Sequence, residues 1–140
     1  MATFTKFQGF VGYLGTGVID LNADTFNVYA SNAVPSASAD DVKVNLAEIT
    51  AQNGYPSGGS DVQNVYSEAS GTGTMTATNV TWTASGGSFG PLQYIVLYDD
   101  TVASPVVDPL AGWWDYGSAV SPADTETFTV AFGASLATLA

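Results

Sequence analysis

Thr125-Glu126-Thr127-Phe128-Thr129-Val130-Ala131-Phe132 places Phe128, Val130 and Phe132 on one face and a ladder of threonines on the other. A period of two is the mark of a strand with one buried and one wetted face. Thr25-Phe26-Asn27-Val28-Tyr29-Ala30-Ser31 repeats it, with Phe26, Val28 and Ala30 inward. Residues 72–78 and 80–84 are threonine-rich, which suits a pleated, half-solvated surface. Leu92-Gln93-Tyr94-Ile95-Val96-Leu97-Tyr98 is almost continuously apolar and reads as a central strand covered on both faces. Shorter strands are expected at 18–21, 62–67 and 111–116. The expectation is an all-β chain: an antiparallel two-sheet β-sandwich of about eight strands with one short helix or helical turn.

Turn chemistry separates these strands. Asn53-Gly54, Ser57-Gly58-Gly59-Ser60, residues 71–73, Ser85-Gly86-Gly87-Ser88 and Gly133 tolerate positive φ. The six prolines fall in loops or at strand starts. Residues 35–39 and 101–109 read as exposed loops. Between Ser38 and Gly54 the pattern changes, because Val42, Leu46 and Ile49 sit at helical spacing with Ser38 or Asp40 able to cap and Gly54 able to terminate. A short helix is expected there; the competing reading is an irregular loop with Leu46 and Ile49 tucked into the core.

The whole chain, 1–140, reads as one domain, with an N-terminal arm at 1–17. In that arm Phe4, Phe7, Phe10 and Tyr13 recur at every third position, among Gly9, Gly12, Gly15 and Gly17. The spacing suits neither a strand nor a well-formed helix face, and it suggests rings that dock onto the domain, a neighbouring copy or another surface. The segment MATFTKFQGF carries no pattern of a signal peptide.

Composition excludes several chemistries. The chain has 13 acidic residues, two lysines, no arginine, histidine or cysteine, and a net charge of −11. No Ser-His-Asp or Cys-His nucleophile, no thiolate or imidazole zinc site and no disulfide can be built from it. Two lysines cannot neutralise a row of phosphates, so neither nucleic acid nor an anionic membrane is an expected partner. No cofactor is expected. Asp99-Asp100, Asp108 and Asp115 are close enough in sequence to converge on calcium or to act as a glycosidase-type pair, yet aspartates at strand ends are ordinarily turn formers. Ser57-Gly58-Gly59-Ser60 lacks the lysine of a phosphate loop and reads as a turn.

Gly112-Trp113-Trp114-Asp115-Tyr116-Gly117 is the densest aromatic cluster. In a strand Trp113 and Trp114 face opposite sides, so one of them needs cover beyond the main core. Burial against another molecule is the favoured reading, and cover by the N-terminal segment or a helix of the same chain is its rival. The candidate interface residues are therefore Phe4, Phe7, Phe10, Tyr13, Trp113 and Trp114. A carbohydrate-binding module would use the same rings as a stacking platform. Trp82, flanked by threonines, reads as a core anchor.

Several blocks carry a resemblance. They are Leu46-Ala47-Glu48-Ile49-Thr50-Ala51-Gln52-Asn53-Gly54-Tyr55 with Ser57-Gly58-Gly59, and Val80-Thr81-Trp82-Thr83-Ala84-Ser85-Gly86-Gly87 with Gly90-Pro91 and Tyr94. Val96-Leu97-Tyr98, Pro109-Leu110-Ala111-Gly112-Trp113-Trp114-Asp115-Tyr116-Gly117 and Glu126-Thr127-Phe128-Thr129-Val130 complete them. In this order the text resembles small tailed-bacteriophage virion structural proteins, of the capsid decoration or cement type. The glycine-rich aromatic start before Leu21 departs from that group's more polar one. The resemblance implies a non-enzymatic component of the virion, made in the bacterial cytoplasm and placed on the capsid surface. Its partners would be the major capsid protein and neighbouring copies in a homo-oligomer. A tail, baseplate or fibre component is the alternative place on the particle.

Overall fold

The computed structural model describes residues 2–139, and it is all-β and sandwich-like. In chain order the elements are β1 (Thr5–Lys6), α1 (Gln8–Gly15), β2 (Phe26–Ser31), a single 3-10 turn (Lys43–Asn45), β3 (Ser60–Asp61), β4 (Val65–Ala69), β5 (Thr72–Thr76), β6 (Val80–Thr83), β7 (Leu92–Asp99), β8 (Leu110–Val120), β9 (Thr127–Val130) and β10 (Ala137–Leu139). One layer is a five-stranded antiparallel sheet in the order β1-β8-β7-β2-β3. Opposite it stand two separate ladders, β10-β5-β4 and β6-β9. The second layer is thus split, because the backbone between β5 and β6 bonds elsewhere: Thr78 N–H donates to Val62 O at 2.8 Å.

The expected strands at 25–31, 72–78, 80–84, 92–98 and 125–132 all form, some of them trimmed at the ends. Phe26, Val28 and Ala30 of β2 pack with Leu92, Ile95 and Leu97 of β7 against Trp82, Phe128 and Val130 from the opposite layer. β7 lies in the middle of its sheet and is buried along nearly its whole length, as its apolar run requires. Its other face, with Val96 and Tyr98, joins Tyr29, Leu46, Leu110 and Phe7 in a second, smaller core. Both faces of β7 and β2 at the centre of this sheet are therefore dry, while β1 and the far half of β8 are exposed.

Three expectations are overturned. Residues 18–21 form no strand: Val18 and Ile19 N–H both reach Tyr13 O, at 2.9 and 3.2 Å, and Asp20 Oδ1 then accepts from Asn22 and Ala23 N–H. The helix expected between Ser38 and Gly54 is replaced by the one 3-10 turn within an irregular strap. Here tertiary partners outbid local spacing. Lys43 N–H bonds Asp108 O, Leu110 N–H bonds Asp41 O, and Ile49 N–H bonds Ala30 O, each within 3.0 Å. The strap is laid across the sheet with Leu46 buried beneath it, which is the competing loop reading.

The third concerns the start of the chain. Residues 2–17 dock onto the domain itself, and the spacing expected to suit neither strand nor helix in fact gives both: β1 pairs with β8, and an α-helix lies at Gln8–Gly15. Phe7, Phe10, Tyr13 and Leu14 follow the i, i+3, i+6, i+7 pattern of one helical stripe. Phe7 and Phe10 are buried, and Tyr13 and Leu14 pack against the larger core. Glycine within a helix costs about 1 kcal/mol relative to alanine, so Gly9 and Gly12 leave this helix dependent on its contacts. At Gly9 the lack of a side chain has a use, because an added Cβ would collide with the Asp41 carboxylate.

Candidate functional site

Of the six candidate interface residues Phe7 and Phe10 are buried, while Phe4, Tyr13, Trp113 and Trp114 are half-buried, and four of the six pair ring to ring. Phe7 is wholly buried, with its ring centroid 4.6 Å from that of Trp113. Phe4 sits 5.0 Å from Trp114 and lies over Gly112, where any Cβ would strike its ring. Trp114 also meets Phe132 at 5.5 Å. Tyr13 Oη donates to Asp41 Oδ2 at 2.6 Å, and burial together with that hydrogen bond pushes its pKa up to about 12. The two tryptophans do face opposite sides, Trp113 toward the small core and Trp114 toward the large one. Phe7 and Phe10 are buried by the chain itself, whereas Trp113 and Trp114 are only partly covered by it. Two tilted rings press on Trp114 and one on Trp113, which leaves Tyr116, at 58% exposure, as the open aromatic of that cluster.

The carboxylates are dispersed. Asp99 ends β7 and is fully buried; its Oδ1 accepts from Thr101 and Val102 N–H at 2.9 and 3.3 Å. Burial first, and then the neighbouring Asp24 carboxyl, raise its pKa to about 8, and its Oδ2 has no hydrogen-bond partner among the described residues. Asp100 is exposed, and Asp108 sits in a left-handed turn at φ 50° with its carboxyl raised chiefly by burial. Asp115 Oδ1 accepts from Gln93 Nε2 and Gly117 N–H. These are turn formers. Among the described residues no three carboxylates gather closely enough to hold a metal ion.

One polar cluster is not legible from residue spacing. Lys43 Nζ lies 3.0 Å from Glu48 Oε2, and it stands 4.8 Å above the Tyr29 ring and 5.7 Å from that of Tyr98. Glu48 Oε1 accepts from Tyr55 Oη at 2.9 Å and from Gly58 N–H at 2.7 Å. Tyr29 Oη donates to Leu46 O, and Tyr98 Oη to Gly58 O. Burial drives all three phenols well above their ordinary range, so they stay protonated. Such a cluster anchors the strap and the 55–59 turn to the sheet. Glu48, Tyr55, Gly58 and Tyr98 all lie within the blocks quoted above, but nothing in those blocks singled the cluster out.

What the fold leaves outward is backbone edge and aliphatic side chain. β4 and β10 are the outer strands of their ladder, and Val65 on β4 and Leu139 on β10 are 61% and 45% exposed. Between β10 and residues 3–6 runs a groove of about 450 Å³ lined by Phe4, Phe10, Leu136 and Lys6. Compared with protein-family models, curated proteins and solved structures, the chain matches none.

Proposed function

We propose that this chain is a non-enzymatic structural component of a tailed-phage virion, one that decorates the capsid exterior and stabilises it by binding the major capsid protein and neighbouring copies. The observation that carries the reading is where the resembling blocks meet in space. Tyr55 of the first block packs edge-on to Trp82 of the second at 4.9 Å, and Asn53 O accepts from Ser85 N–H at 3.0 Å. The third and fourth blocks pair as β7 and β8, while Trp82 stands opposite Phe128 of the last. The quoted blocks therefore form one connected framework around the core of this chain. A rigid framework with its functional surface left to the exterior suits a scaffold for adhesion, and supports the reading in that sense.

The mechanism is physical. Apolar side chains leave water at contacts and unpaired strand edges add main-chain hydrogen bonds. Repetition over many sites slows loss of the layer. The remaining acidic surface keeps finished particles apart. Reconstruction of purified particles that carry this chain tests the proposal. Density on the head exterior is expected; density on tail, baseplate or fibre selects the alternative, and absence from purified particles overturns both.

A further inference from the structure

We infer that copies of this chain associate head to tail, the outer edge of β4 in one copy pairing with the outer edge of β10 in the next. Both strands end the ladder β10-β5-β4, so each has a row of backbone groups with no partner strand among the described residues. Edge strands are usually blunted by lysine, proline or a bulge. Val65-Tyr66-Ser67-Glu68-Ala69 and Ala137-Thr138-Leu139 contain neither residue and both pair with β5 without a register shift; their only protections are the shortness of β10 and the charge of Glu68 on β4. Each carries one of the chain's exposed large aliphatic residues, Val65 and Leu139.

Charge selects the occupant. The register aligns Glu68, Gly73 and Leu139 in one row across the ladder. On the face of that row Gly73 and Leu139 border an apolar recess with Phe4 and Phe10, with Leu139 half-exposed at its rim and Glu68 exposed. A β4 strand laid beyond β10 with its faces matched would carry Glu68 on the side where Lys6 lines the groove. Lys6 makes no ion pair among the described residues, whereas the other lysine is held by Glu48. In a chain of net charge −11, a free ammonium beside an open strand edge is where a second copy's carboxylate is attracted rather than repelled. Because the two edges differ, the contact is heterologous, and it closes into a ring if the rotation permits. The inference deepens the reading above by naming the surface between neighbouring copies, but its test needs no capsid. A monomeric chain would overturn it and leave attachment to particles open.

The experiment is sedimentation equilibrium on the purified full chain, from micromolar to roughly millimolar concentration. It compares the natural sequence with Lys6→Glu, Glu68→Lys, the double reversal and Glu68→Gln. The natural chain is expected to self-associate. Each single reversal should weaken association by roughly tenfold or more, because like charges then meet, and the double reversal should restore it. Glu68 Oε1 also accepts from Gly71 N–H within its own turn. Glu68→Gln keeps that acceptor, so a weakened association in this variant assigns the effect to charge, and thermal melting confirms that every variant is folded. A monomeric natural chain, single reversals that associate as tightly as the natural sequence, or a folded double reversal that stays dissociated would each overturn the proposal.

Discussion

The Phe4 ring lies over Gly112 and 5.0 Å from Trp114, so the first strand of the chain closes the side of the sandwich on a residue that has no side chain. This contact turns residues 2–17 from an appendage into part of the core. Gly112→Ala would drive a Cβ into that ring and against Thr5 O. A loss of about 2 kcal/mol is expected, within the range for overpacking. Chemical denaturation measures it, together with a red shift of tryptophan emission as Trp114 gains water. Phe4→Ala in the same background should relieve the clash with the ring but not the approach to Thr5 O, so only part of the penalty is recovered.

Phe7 is wholly buried against Trp113 in the smaller core. Phe7→Ala should cost about 3–4 kcal/mol, as large-to-small changes in a packed core do. Removal of residues 1–12 should go further and abolish cooperative unfolding, because it takes away β1, the start of α1 and two buried rings. Circular dichroism with heating distinguishes this from a separable arm, whose removal would leave the melting curve unchanged.

Glu48 accepts from Lys43, Tyr55 and Gly58. Glu48→Ala would leave three donors without an acceptor and a partly buried ammonium without its counter-charge. The expected loss is about 3 kcal/mol. Lys43→Met keeps the apolar stem over Tyr29 and should cost less, about 1 kcal/mol. Urea titration at neutral pH ranks the two variants, and an equal cost would show that the ion pair rather than the hydrogen-bond hub carries the energy.

Asp99 binds its proton more tightly in the folded state than in the unfolded one, because burial and the adjacent Asp24 disfavour its charge. The folded chain thus holds more protons between the ordinary carboxyl value and about 8, and stability from this group falls as pH rises through that window. Melting temperature should decline from pH 5 to pH 9, with no further change from this group above it. Asp99→Asn keeps an oxygen for Thr101 and Val102 N–H and removes the titration, so its melting temperature should fall less over the same range. A parallel decline in both proteins would assign the pH dependence to other groups.

Much of the architecture was legible beforehand. Alternating Phe128, Val130 and Phe132, and the unbroken apolar run from Leu92 to Tyr98, needed no partner to announce a one-faced strand and a two-faced one. The tryptophan pair likewise had to split between two sides. The helix went unseen because glycine at 9, 12 and 15 lowers propensity while the stripe of Phe7, Phe10, Tyr13 and Leu14 carries the information. Conversely, Val42, Leu46 and Ile49 offered helical spacing to a segment whose backbone groups were claimed by β2 and the start of β8.

Side-chain chemistry and periodicity are local, and from them alone follow an all-β chain, an aspartate population suited to turns, and the absence of any imidazole or thiol. Which rings cover Trp113 and Trp114, which carboxylate is dry, and which strand edges stay unpaired depend on contacts between residues far apart in the chain. Free energies of that kind arise from burial and from the competition of many partners for one backbone group, and they exist only once the sheets have met.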